Sequence, residues 1–173
     1  VMAGRMVATS QPLAAQAGLD CLRRGGNAAD AAVATAITLT VVEPTGNGLG
    51  SDAFAMICHN GELFGINGSG RSPRAWTYEQ FSHLKAMPQL GWQSVTVPGA
   101  VSVWVELSER FGRLPFTQLF SYAIEYAKEG FAVSPITAAA WQKAAERYRD
   151  FPEFNRVFMP NGRQPPPDNG SPM

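Results

Sequence analysis

The stretch VVEPTGNGLGSDAFAMI, Val41 to Ile57, sets three glycines, Gly46, Gly48 and Gly50, at alternate positions between two apolar runs. Glycine is used where the backbone needs a positive φ or must approach another group closely, and ordering it costs entropy. Downstream, DAFAMICH and ELFGING flank Asn60-Gly61, a dipeptide suited to the type I′ turn of a two-residue hairpin, so two antiparallel strands are expected. Upstream, Asn27 can cap a helix, ADAAVATAITLTVV, so rich in alanine and β-branched residues that only the face carrying Asp30 is expected to meet solvent. The stretch therefore reads as the crossover from a buried helix into a strand. A phosphate-cradling turn fits less well: that fingerprint opens a helix, Pro44 interrupts the approach, and no acidic residue stands at the ribose-binding distance of about 20 residues. The remaining expectation is a glycine-lined crossover packed tightly against neighbouring strands.

Working outward, Ser10 is expected to cap a first helix with Pro12 in its first turn, closed by Arg23, Arg24 and the Gly25-Gly26 pair. QSVTV reads as a third strand stopped by Pro98-Gly99, and AVSVWVELSERF as a helix ending at Gly112. Two more helices are expected, PFTQLFSYAIEYAKEG, closed by Gly130, and one capped by Ser134 with Pro135 at its first position, running to about Arg149. From Phe151 to Met173 the composition shifts, with six of the thirteen prolines, and a surface loop is expected there. Residues 1–150 thus form the folded part, and 151–173 a proline-rich loop leading into a larger protein.

The chain has 173 residues, 45% apolar and 16% charged, enough for one globular domain with a sizeable core. Fourteen basic residues balance fourteen acidic ones, so no overall field favours nucleic acid or an anionic membrane surface. The longest apolar stretch, Ala28 to Val42, is broken by Asp30 and three threonines and falls short of a membrane span. With no secretory h-region at the N-terminus, the chain reads as soluble, in a compartment that is cytoplasmic or periplasmic. Cys21 and Cys58 are read as buried free thiols, His59 and His83 as structural or surface residues, and Trp76, Trp92, Trp104 and Trp141 as core and interface anchors. Nothing in these residues calls for a metal or another cofactor.

Four runs, RRGGNAADAAVA, EPTGNGLGSDAFAMI, VTVPGAVSVWVELSERFG and EYAKEGFAVS, resemble in order and spacing the N-terminal part of the large subunit of the gamma-glutamyltranspeptidase family, across about Met6 to Phe158. The resemblance implies an α/β (α+β) fold, part of the αββα sandwich of N-terminal nucleophile hydrolases, with this chain supplying mostly a helical flank plus a hairpin of the core sheet. It implies autoprocessing of a precursor, and attack on a gamma-glutamyl amide by the new N-terminal threonine of a small subunit, this chain's partner. Such a nucleophile uses its own α-amine as base. The chain begins with Val1, so no catalytic residue is assigned within it.

The family's large subunit holds the substrate's α-carboxylate with an arginine on the loop after the second hairpin strand, where a guanidinium fork matches a carboxylate. That loop here reads INGSGRSPRAW, and with Pro73 aligned to the family's proline, Ser69 takes the arginine's place and Arg71 follows two residues later. The family's glycine run also becomes Gly50, Ser51, Asp52, Ala53, adding a carboxylate. Arg71, Ser69 and Asp52 are therefore the candidate substrate-binding residues. Both departures resemble the branch that includes the cephalosporin and glutaryl acylases. The expected activity is hydrolysis or transfer of gamma-glutamyl or related acyl groups on a small-molecule amide. The alternatives are a glutaryl-type acylase and a non-catalytic helical interaction domain.

Overall fold

The computed structural model describes residues 3–159. Among the described residues there are seven α-helices and one antiparallel hairpin: α1 (Pro12–Arg23), α2 (Ala28–Val42), β1 (Ala53–His59), β2 (Glu62–Gly68), α3 (Tyr78–Phe81), α4 (Ala100–Phe111), α5 (Ser121–Glu129), α6 (Pro135–Arg147) and α7 (Pro152–Phe158). The mixture of helix and antiparallel strand agrees with the expected class. Among the described residues there is a single two-stranded sheet, so the sandwich itself is not seen in this chain.

α2 is the central element, packed against α1, α4, α5 and the 3-10 turn Phe116–Phe120. Val33 and Ile37 of α2 share a core with Val103, Trp104, Leu107 and Phe111 of α4 and with Leu119. Its two buried threonines leave no orphaned hydroxyl, because Thr35 and Thr38 donate to the carbonyls of Ala31 and Ala34, each at 2.7 Å. Asp30 is not on a solvent face, as the sequence suggested, but fully buried. Its carboxylate accepts the Asn27 N–H at 2.8 Å, completing a capping box, and takes the N–H groups of Arg113 at 3.0 Å and Leu114 at 3.3 Å from the loop after α4.

The first helix is capped by Gln11 rather than Ser10. The Gln11 side-chain carbonyl accepts the N–H groups of Leu13 and Ala14, while the Ser10 hydroxyl donates to Glu43 at 2.8 Å and ties the start of α1 to the end of α2. A glutamine one residue nearer the helix reaches these donors because Pro12, at the first helical position, has no N–H of its own to satisfy. Gln11→Ala leaves two donors without their acceptor in a buried corner and should destabilise the full-length protein by about 1–2 kcal/mol, read as a lowered denaturation midpoint. Gln11→Glu, which keeps the acceptor, should lose less.

The hairpin forms as the dipeptide predicts, with Asn60 at φ 53° and Gly61 at φ 79°, both positive as a type I′ turn requires. Register pairs Ala53 with Gly68 and His59 with Glu62. Ala53, Ala55, Ile57, Phe64 and Ile66 face α2 and α4, whereas Phe54, Met56 and Leu63 stand 64–78% exposed on the opposite face.

Other expectations are corrected. QSVTV is a 3-10 turn at Trp92–Ser94 followed by extended backbone without a ladder, since it meets the chain after β2 at single hydrogen bonds only. The helix expected from Pro115 divides into the 3-10 turn and α5, and α3 was not foreseen. Pro152–Phe158 is helical rather than loop, with Pro152 at a position where a missing N–H costs nothing. The rest of the expected proline-rich loop lies outside the described residues. Cys58 is exposed, while Cys21 is buried and its burial pushes the thiol pKa up. Trp104 and Trp141 are core residues, but Trp92 is 86% exposed. Among the described residues no helix is long and apolar enough to cross a membrane.

Candidate substrate-binding site

The glycines of the crossover do not serve the purpose expected of them. None of Gly46, Gly48 and Gly50 takes a positive φ, and an added Cβ would meet nothing at Gly46 or Gly50 and only an atom 4.0 Å away at Gly48. The close approaches lie further on, where β2 ends and the chain turns through Ser69, Gly70 and Arg71. Gly70 sits at φ +79°, and a Cβ there would stand 2.1 Å from the Val97 carbonyl oxygen. A Cβ on Gly99 would stand 2.1 Å from the Gly68 carbonyl oxygen. The loop after β2 and the segment leading into α4 are thus in backbone contact that only glycine permits.

Hydrogen bonds fix this contact. Asn67 Oδ1 accepts the Ser69 N–H at 2.9 Å, the Thr96 hydroxyl donates to the Ser69 carbonyl at 3.1 Å, and the Val97 N–H donates to the Arg71 carbonyl at 2.9 Å. The N–H groups of Gly99 and Ala100 both donate to the Ser51 carbonyl, at 3.1 and 3.0 Å, joining the end of the crossover to the start of α4. Beside these bonds lies an open surface cavity of about 440 Å³ whose walls include Asn67, Ser69, Arg71 and Ser102.

Two of the three residues singled out in the sequence, Ser69 and Arg71, therefore come together on one cavity, and both are exposed. Asp52 is also exposed, but is not part of that wall. Arg71 is the one charged residue among those lining the cavity and no carboxylate lines it, a composition compatible with an anionic group. A larger cavity of about 580 Å³, between Gly4–Thr9 and α2, is lined largely by alanine and other apolar residues. His59 is exposed with its ring 5.4 Å from that of Phe111, and His83 is exposed as well. Asn67, Ser102 and the Thr96–Gly99 segment went unrecognised in the sequence. The signal was the Pro98-Gly99 pair, which reads as a strand stop until the backbone contact with Gly68 is seen.

Residues 14–171 match the family model described as gamma-glutamyltranspeptidase. The chain belongs to the gamma-glutamyltranspeptidase family. It is 37% identical over 167 residues to the glutathione hydrolase-like YwrD proenzyme of Bacillus subtilis, covering 94% of this chain and 32% of that protein. It is 36% identical over 169 residues to the oxamate amidohydrolase proenzyme of Klebsiella pneumoniae, again covering 94% of this chain and 32% of the other. Among solved structures, cephalosporin acylase from Bacillus halodurans superposes with a TM-score of 0.88 at 43% identity, over 100% of this chain and 35% of the acylase chain. Gamma-glutamyltranspeptidase from Helicobacter pylori superposes with a TM-score of 0.90 at 28% identity, over 100% of this chain and 51% of that one. The chain thus spans about a third of the length of the curated relatives it matches.

Proposed function

We propose that this chain is the N-terminal part of the large subunit of a processed gamma-glutamyltranspeptidase-like enzyme, one that hydrolyses or transfers gamma-glutamyl or related acyl groups. In this reading the nucleophile is an N-terminal threonine of the small subunit, outside residues 1–173. The loop after β2 binds the acyl donor, with Arg71 pairing its carboxylate. The observation that carries the reading is the cavity in which Arg71 is the one charged lining residue. Family membership and the proenzyme names of two relatives support the processed, two-subunit arrangement. Ser69 lines the same cavity and can accept or donate one hydrogen bond to the same group. Asp52 follows Ser51, whose carbonyl accepts the N–H groups of Gly99 and Ala100, and has the weaker support, because it is not part of the wall.

A second reading, an acylase acting on glutaryl or similar side chains, is favoured by Ser69 standing where the family places its arginine, and by the greater identity to the cephalosporin acylase than to the Helicobacter pylori enzyme. The two donors differ at one end: a gamma-glutamyl group carries an α-amine beside its carboxylate, and a glutaryl group lacks the amine. Turnover of a gamma-glutamyl anilide against a glutaryl anilide by the full-length processed protein separates them. A higher kcat/KM on the gamma-glutamyl compound supports the first reading, and the reverse order supports the second. Turnover of neither would overturn both.

A further inference from the structure

We propose that Thr96 is a positioning residue for Arg71, and that the Thr96–Gly99 strap, rather than the end of β2, sets where the guanidinium stands for the acyl donor's carboxylate. This inference rests on Arg71 binding that carboxylate. The loop is held to β2 by one local bond, from Ser69 N–H to Asn67 Oδ1. It is held across space by two bonds that bracket Gly70: Thr96 hydroxyl to the Ser69 carbonyl, and Val97 N–H to the Arg71 carbonyl. Between them Gly70 lies so close to the strap that a Cβ would collide with the Val97 carbonyl oxygen and stand 2.7 Å from the Thr96 hydroxyl oxygen.

The strap is anchored at its Gly99 end, which is buried. It runs straight into α4, whose Ala100, Val103, Trp104, Leu107 and Phe111 are buried, and both Gly99 and Ala100 are bonded to Ser51. Thr96, Val97 and Pro98 are exposed, as Ser69 and Arg71 are, but the β2 ladder ends at Gly68, so beyond it the loop is fixed by its bonds to the strap and to Asn67. Position therefore passes from the α4 core through the strap to the loop backbone and on to the guanidinium. Thr96 is the one side chain in this relay, since Val97 acts through its backbone. A guanidinium must meet a carboxylate in a narrow geometry to make two parallel bonds, so a small displacement of the Arg71 backbone weakens the pair without removing the charge.

Full-length processed enzyme carrying Thr96→Val, Thr96→Ser, Arg71→Ala or the Thr96→Val/Arg71→Ala pair tests this on two acyl donors, one bearing a carboxylate and one uncharged. Thr96→Val keeps the shape and deletes the donor. It should raise KM for the carboxylate donor about three- to tenfold, the usual weight of one neutral hydrogen bond, with kcat and the uncharged donor unchanged. Thr96→Ser, which keeps the hydroxyl, should stay within about twofold of the parent. In the Arg71→Ala background Thr96→Val should have no further effect, because the group it positions is gone. If Arg71→Ala is costly but Thr96→Val is silent, or impairs both donors alike, the positioning role is overturned and the carboxylate reading stands. If Arg71→Ala is itself silent on the carboxylate donor, the carboxylate reading fails and the positioning role with it.

Discussion

Arg71→Ala should lower kcat/KM for a carboxylate-bearing acyl donor by about ten- to over a hundredfold in the full-length enzyme, and leave an uncharged donor nearly untouched. The magnitude is that of a charge-assisted pair, about 1.5–3 kcal/mol. No acidic residue lines the cavity, so none of its lining residues competes with an incoming anion for Arg71. Arg71→Lys should recover only part of the loss, since an ammonium keeps the charge but cannot make two parallel bonds. Ser69→Arg probes the competing position on the same wall. If that loop follows the family's path, the added guanidinium should shift preference toward gamma-glutamyl donors. Steady-state kinetics on the two donor types measures all three variants. Unchanged kinetics for Arg71→Ala together with no shift for Ser69→Arg would remove this loop from the acyl site.

The largest loss of stability should come from Asp30→Ala. Its carboxylate holds three backbone N–H groups, of Asn27, Arg113 and Leu114, which would otherwise be left without acceptors. Each buried donor left unpaired costs about 1–3 kcal/mol, and the Asn27 bond among the three is the capping-box contact itself, so a loss of about 3 kcal/mol or more is expected. Asp30→Asn should be milder but still costly, because its NH2 group would face an N–H where the carboxylate presented a second oxygen. Space offers no escape: a Cβ on Gly112 would stand 2.8 Å from Asp30 Oδ1, so the loop already lies against the carboxylate. Chemical denaturation of the full-length variants, followed by the fluorescence of Trp104 against this core, measures the difference. A shift below about 1 kcal/mol for Asp30→Ala would show that the loop after α4 is held by other means.

These two residues show how legibility divides. Arg71 was found through a motif, as a cation in a loop at a recognisable place. Its partners Thr96 and Val97 were not, because they lie more than 20 positions away along the chain and their pairing depends on backbone contact at Gly70 and Gly99. Asp30 was placed on the wrong face for a related reason. On a helix otherwise made of apolar residues, a lone carboxylate looks like the solvent side unless the donors that allow its burial are known, and those of Arg113 and Leu114 are supplied by a loop more than 80 residues later. The glycine crossover taught the opposite lesson, for its local sequence suggested tight packing and the described structure leaves its glycines open.

By itself the sequence determined what depends on neighbours along the chain. The hairpin turn at Asn60-Gly61 follows from positive φ angles, the start of α2 from the Asn27 cap, the start of α6 from Ser134 and Pro135, and the extent of α4 from its apolar spacing and Gly112. Family membership was legible too, because it rests on the order of such local motifs. Only the tertiary structure decided that Gln11 and not Ser10 caps α1, that QSVTV is a strap rather than a strand, that Asp30 is buried, and that Ser69 and Arg71 share a cavity while Asp52 does not line it. Each of these turns on a hydrogen-bond partner or a close approach distant in sequence. A backbone donor or acceptor must be satisfied somewhere, but the residue types beside it do not say where.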